Sequence, residues 1–200
     1  KYLLPAATSF TSLMQRMPGF FVAITNYVKL LLFPVNLHME YGLNLFKIST
    51  PKALLGILIV ISGLILALRK RSNKLIFFSV LWFLATLLPV SNIFPINAYM
   101  AEHWLYLPSI GFFVILANIL ILFYNKNRFK ICAVFLFTFL LVYYSYFTIK
   151  QNERWKNPVV FYESILQYTQ GNSRIYNNLG KAYNDIGKYE QAAVIFEKTI

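Results

Sequence analysis

Apolar residues dominate the chain as far as about residue 150 and then give way to a polar tail. Four uncharged runs stand out, at 53–68, 75–90, 104–125 and 131–149. The first holds sixteen residues, which as a helix covers about 24 Å of a hydrocarbon core of about 30 Å. Lys52 and Arg69 flank it, and long basic side chains snorkel across such a gap. Pro51 suits the first helical turn, where its missing N–H is not needed. Gly56, Ser62, Gly63 and Ala67 are small positions that permit close contact between helices. The pattern predicts an all-α chain whose middle is a polytopic membrane domain of about four transmembrane helices.

Before the first run, residues 20–33 form a shorter apolar segment interrupted by Lys29 and stopped by Pro34. A lysine at the bilayer centre costs at least about 2.5 kcal/mol. The segment is therefore read as an interfacial or re-entrant helix. Pro34, Asn36, His38, Glu40 and Gly42 then mark a polar loop. After the fourth run, residues 155–168 place Val159, Val160, Ile165 and Leu166 at helical spacing. Gly171 and Asn172 break that helix, and Ser173 caps a second one running to about residue 186. Gly187 turns the chain into a third helix over 189–198. The expected organisation is an interfacial helix and loop in 1–50, a membrane region in 51–150 and a soluble helical region in 151–200.

The run Asn177-Asn178-Leu179-Gly180, with Tyr183, Gly187, Tyr189, Ala192 and Phe196, matches the tetratricopeptide pattern. The spacing has a physical reason. Gly180 and Ala192 are small where two antiparallel helices approach, and Tyr183, Tyr189 and Phe196 fill the groove around them. One repeat cannot bury its own face, and about three are usually needed. More repeats are therefore expected beyond Ile200. The chain also opens on Lys1 without a signal-peptide layout, so it is read as a piece of a longer protein.

Charge changes the picture through its distribution. The net charge of +12 resembles a nucleic-acid signal, but residues 151–200 are nearly neutral and the excess lies mostly in short loops. Arg69, Lys70, Arg71 and Lys74 form one basic turn, and Lys126, Arg128 and Lys130 form another. The loop between them, 91–103, has no Lys or Arg. By the positive-inside rule both basic turns face the cytoplasm. Loop 91–103, the loop before Pro51 and the repeat region then lie on the non-cytoplasmic side. The implied partner is the lipid bilayer, with attraction to anionic headgroups, and not nucleic acid. The single cysteine, Cys132, sits in an apolar run, forms no intrachain disulfide and reads as a small buried hydrophobe.

Candidate chemistry concentrates in the outward loops. Glu102 is the only acid between Tyr41 and Asn152, and His103 follows it. A carboxylate there can orient a polar substrate or exchange a proton. It equally suits the start of a helix, where negative charge is favoured. His38 and Glu40 share the other outward loop and could join the same face. Neither pair has metal-ligand spacing, so no metal site is expected, and no phosphate-binding glycine motif or other cofactor signature occurs.

Three segments carry a family resemblance. They are Tyr27-Val28-Lys29-Leu30-Leu31-Leu32-Phe33-Pro34-Val35-Asn36-Leu37, then Leu88-Pro89-Val90-Ser91-Asn92 through Ala101-Glu102-His103-Trp104-Leu105-Tyr106-Leu107-Pro108-Ser109, and Asn152-Glu153-Arg154-Trp155-Lys156-Asn157. Together they resemble the C-terminal half of the transmembrane and tetratricopeptide-repeat glycosyltransferases of the GT-C superfamily. The resemblance implies a polyprenyl-phosphate-linked sugar as donor, protein as acceptor, and transfer on the outward or luminal face. It maps Glu102, His103 and Tyr106 onto the family's outward motif, with His103 where the family has arginine. A neutral histidine would contact phosphate more weakly than arginine. The family's catalytic acids lie in an upstream outward loop, so this piece is expected to be inactive alone. The competing reading is a non-enzymatic membrane anchor whose repeats dock envelope proteins.

The charge pattern makes a direct prediction. In sealed vesicles of known orientation, protease is expected to reach the segment after Lys150 only from the non-cytoplasmic side; cleavage from the cytoplasmic side would overturn the orientation.

Overall fold

The computed structural model describes residues 12–39, 41–42, 44–96, 98–168 and 172–198. The secondary structure assigned to these residues is helical. They divide into two compact units. One comprises residues up to 35 together with 41–142, and the other 36–40 together with 143–200.

In the first unit, α1 spans Leu13–Leu32. It starts earlier than the expected residue 20 and contains Pro18. An interior proline removes one helical hydrogen bond. Here local and tertiary contacts hold the extra turns: Gln15 Oε1 accepts from the Ser12 N–H at 3.1 Å, and Pro18 and Gly19 are buried. The partners of α1 are informative. The Arg16 guanidinium donates to Asn92 O at 2.9 Å, Thr25 to Lys52 O at 2.8 Å, and Tyr27 to Ala101 O at 3.2 Å. All three acceptors belong to the end of the unit opposite the basic turns. Helix α1 is therefore bonded to that end, and Lys29 on it is exposed.

Helix α2 is Pro51–Arg69, with Pro51 in the first turn as expected. Helix α3 is Lys74–Leu87, capped by Asn73, whose side chain accepts from the Ile76 N–H at 3.2 Å. A 3-10 turn, Leu88–Val90, ends it at Pro89. A second 3-10 turn, Glu102–Leu105, leads into α4, Tyr106–Tyr124. After a third such turn, Asn127–Phe129, α5 runs over Lys130–Trp155. Among the described residues, three segments are long and apolar enough to cross a membrane, namely Pro51–Arg69, Glu102–Tyr124 and Asn127–Trp155. The second of the four expected spans is the shorter apolar helix Lys74–Val90. The chain is thus a multi-pass membrane protein in its helical pattern.

Small residues set the packing. Helices α1 and α2 touch where Gly56 meets the backbone carbonyl of Phe21, with no room for a Cβ. Helices α3 and α4 touch where Gly111 meets the backbone of Ser79 and Phe83. Gly63 is looser, since a Cβ there would be an ordinary 3.6 Å from Val80 Cγ1. The buried cluster of Ala23, Ile24, Tyr27, Leu31, Leu87, Met100 and Leu105 sits beneath α1. Cys132, expected to be buried, is exposed on α5. That helix buries few side chains, Ala133 among them, and its apolar surface suits lipid.

The second unit holds α6 (Pro158–Leu166), α7 (Ser173–Asp185) and α8 (Tyr189–Glu197). Two helix starts differ from expectation. Helix α5 continues past residue 149 to Trp155, and α6 begins at Pro158, because Asn157 accepts from the N–H groups of Val159 and Val160 at 3.0 and 3.3 Å. The cap of α7 is Asn172 and not Ser173: its side chain accepts from the Arg174 N–H at 3.1 Å. Helices α7 and α8 form a tetratricopeptide-like hairpin, and α6 packs on α7.

The glycine contacts predict a graded series. Gly56→Ala and Gly111→Ala are each expected to lower the thermal midpoint in detergent, since overpacking costs about 1–3 kcal/mol, whereas Gly63→Ala is expected to leave it nearly unchanged.

Candidate functional site

The end of the first unit opposite the basic turns is built on one tyrosine. Tyr27 on α1 is 1% exposed. Its hydroxyl donates to Ala101 O at 3.2 Å and accepts from the Ala101 N–H at 3.1 Å. The irregular backbone beside Met100 and Ala101, both buried, thereby finds its partners. Asn26 Nδ2 adds a contact to Met100 Sδ at 3.4 Å. Upstream, Asn92 is buried with φ of 64°, a left-handed conformation that asparagine tolerates. Its side chain accepts from the Ile96 N–H at 3.2 Å and its carbonyl accepts from Arg16.

Glu102 follows this pinned residue. It is partly buried, and the Tyr41 hydroxyl donates to its Oε1 at 2.8 Å. Tyr41 is supported in turn. Its ring meets Tyr99 edge-on at 6.3 Å, Tyr99 meets Phe46 at 4.9 Å, and the Tyr99 N–H donates to Gly42 O at 3.2 Å. Burial pushes the Tyr41 phenol well above its ordinary value, and the Glu102 charge adds to the shift. Burial also raises Tyr99. Tyr41 accordingly stays protonated at neutral pH and remains a donor. A carboxylate oriented in this way can accept a hydrogen bond or a proton from a hydroxyl that approaches its exposed side.

The other candidates fall in different places. His103 is exposed with its ring 5.6 Å from Trp104, and Tyr106, 76% exposed, begins α4. Trp82 Nε1 donates to Leu107 O at 2.8 Å, which ties the start of α4 to α3. Glu40 lies outside the described residues. His38 belongs to the second unit, where its ring stacks on Tyr168 at 4.5 Å and its Nδ1 is 2.8 Å from Asn36 O. No group of three His, Cys, Asp or Glu able to hold a metal occurs among the described residues. Sequence reasoning singled out Glu102 but not Tyr41, Tyr27 or Arg16. The available signal was weak: Arg16 precedes an apolar run and Tyr41 lies in a polar loop, and no spacing links either to the segment around Glu102.

In the repeat hairpin Leu179, Gly180 and Ala192 are buried. A Cβ on Gly180 would lie 2.6 Å from the Phe196 ring, so a larger residue there requires that ring to shift. Gly187 turns the chain at φ of 76°. Tyr183 donates to Glu163 on α6, and that bond raises its phenol. Tyr189 does not fill the groove. It is 68% exposed as the first residue of α8, and the buried position of that helix falls at Ala192.

Comparison with known proteins gives one class of relative, the protein O-mannosyl-transferases. A protein O-mannosyl-transferase of Caenorhabditis elegans is 32% identical over 169 residues, 82% of this chain and 24% of that protein. Protein O-mannosyl-transferase Tmtc3 of Drosophila melanogaster is 29% identical over 125 residues, 60% of this chain and 13% of its own length. The Homo sapiens TMTC3 is 26% identical over 126 residues, 62% of this chain and 14% of its own. The chain is therefore homologous to these proteins at low identity and spans a quarter or less of their length. No family model matches the chain, and no solved structure matches it.

Tyr27→Phe would leave the Ala101 N–H without the hydroxyl it donates to, while Ala101 O keeps the Trp104 N–H at 3.2 Å. We expect a loss of about 1–3 kcal/mol and faster amide exchange at Ala101 and Glu102; unchanged exchange there would contradict the assigned role.

Proposed function

We propose that this chain is the outward mouth and repeat-bearing tail of a protein that transfers a sugar from a polyprenyl-phosphate donor to protein. The observation that carries the reading is the hydrogen bond from Tyr41 to Glu102, on a loop whose backbone Tyr27 pins. A lone headgroup-level glutamate needs no such support. A carboxylate that must meet a substrate hydroxyl does, because catalysis depends on positioning. Homology to protein O-mannosyl-transferases supports the same reading.

In this proposal Glu102 receives a hydrogen bond or proton from the acceptor or its water, and exposed His103 and Tyr106 flank the donor headgroup. The repeat region lies on the non-cytoplasmic side with the mouth and holds the acceptor protein or peptide. The opposition of the mouth to both basic turns supports that sidedness through the positive-inside rule. The alternative, a membrane anchor whose repeats dock other proteins without catalysis, rests on the hairpin alone.

The test is Glu102→Gln in the longest native form of the protein. General acid–base groups contribute about 100-fold or more, so sugar transfer is expected to fall by that order while the thermal midpoint holds. Full activity in the variant would sink the enzymatic reading of this site and leave the docking one.

A further inference from the structure

Arg16 is a charge that the fold holds in place without neutralising it. Its Nη1 donates to Asn92 O at 2.9 Å and to Ile93 O at 3.3 Å. Its Nε is shielded from solvent and makes no hydrogen bond, and Nη2 has no partner among the described residues. The residue as a whole is half-buried, so the guanidinium stays within reach of the surface. No acid stands in the first turn of α1. In the sequence of this unit, residues 1–35 and 41–142, the one acid is Glu102. Glu102 follows Ala101, which Tyr27 holds, and Tyr27 lies eleven residues along α1 from Arg16, about 16 Å at 1.5 Å per residue. Arg16 is thus separate from the pair of Tyr41 and Glu102, and its hydrogen bonds go to two neutral carbonyls.

A group in this condition calls for an anion. Shielded polar atoms in native proteins are as a rule hydrogen-bonded, and a cation short of both water and counter-charge is disfavoured until something anionic pairs with it. The two carbonyls on Nη1 also fix the plane of the guanidinium. A guanidinium so fixed presents its remaining N–H groups as a rigid fork, the geometry that phosphate and carboxylate oxygens accept. One oxygen at Nη2 would bring negative charge beside the shielded Nε.

The surroundings indicate where the anion comes from. Helix α3 and its 3-10 turn, Lys74–Val90, rise about 25 Å. With Lys74 at one boundary of a hydrocarbon core about 30 Å thick, Asn92 reaches about the other boundary, and Arg16 is bonded there. The loop at that level is apolar on its outer surface: Ile93 is 44% and Phe94 79% exposed. Leu88, 55% exposed at the end of α3, continues this surface toward the span. A phosphate carried on an apolar chain meets both halves of the arrangement, whereas a soluble anion meets only the charge.

We propose that Arg16 binds the phosphate ester of a membrane lipid, whose apolar chain lies against Ile93, Phe94 and Leu88. The site stands apart from Glu102 and is independent of the sugar-transfer reading.

Photo-crosslinking from position 94 tests it locally, away from the basic turns. Phe94 is exposed and can be replaced by benzoylphenylalanine in the full chain, delipidated in detergent. With Arg16 intact, this chain is expected to capture phosphatidic acid about tenfold or more over diacylglycerol of the same acyl chains, the factor that a hydrogen bond to a charged group supplies. Arg16→Gln keeps an N–H donor for Asn92 O and removes the charge, so the preference should fall to near unity. Arg16→Lys keeps the charge and should retain part of the preference. Equal capture of the two lipids with Arg16 intact overturns the proposal, and that comparison does not depend on either Arg16 variant folding. Undiminished preference in R16Q overturns it as well. So does inorganic phosphate that competes as well as phosphatidic acid, because no lipid would then be required. Competition by polyprenyl phosphate or by phosphatidylglycerol, whichever is stronger, upholds the site and identifies the chain that carries the phosphate.

Discussion

The end of the first unit opposite the basic turns depends on one hydroxyl. Tyr27 accepts from and donates to the backbone of the same residue, Ala101, inside a cluster of Ala23, Ile24, Leu31, Leu87 and Leu105. Irregular backbone at the edge of a bilayer is tolerated only where its polar groups are satisfied within the protein. The phenol supplies that satisfaction while its ring remains an apolar filler. It also fixes where α1 lies, since the helix that carries Tyr27 must reach the loop that carries Ala101. Glu102 inherits its position from the pinned residue before it.

Glycine serves the same geometric end in both units under different driving forces. In the first unit Gly56 and Gly111 bring backbone against backbone, where lipid offers no hydrophobic incentive and close van der Waals contact decides the association. In the hairpin Gly180 makes room for the Phe196 ring, and burial from water supplies the gain. A tetratricopeptide pattern and a membrane small-residue pattern are thus read from similar letters, and the surrounding polarity tells them apart.

What the sequence disclosed follows this division. Spans, basic turns and the repeat hairpin were legible because each rests on local periodicity or charge. A helix through residues 20–32 was legible from its apolar run, although its start at Leu13 was not, because Pro18 lies inside it and burial there overrides the lost hydrogen bond. Asn157 and Asn172 were missed as caps because several polar residues adjoin each and only backbone geometry selects one. The partnership of Tyr41 with Glu102 spans 61 positions and has no periodic trace. A pairwise contact of that kind cannot be recovered from one sequence, which is why Glu102 was found and its support was not.

Cys132, one helical turn into α5 and open to its surroundings, is the sole thiol in the 200 residues. It lies just beyond the second basic turn, at the start of a segment long and apolar enough to cross a membrane. A nitroxide or environment-sensitive dye attached there would report how far this helix sinks into a bilayer, on the unaltered chain.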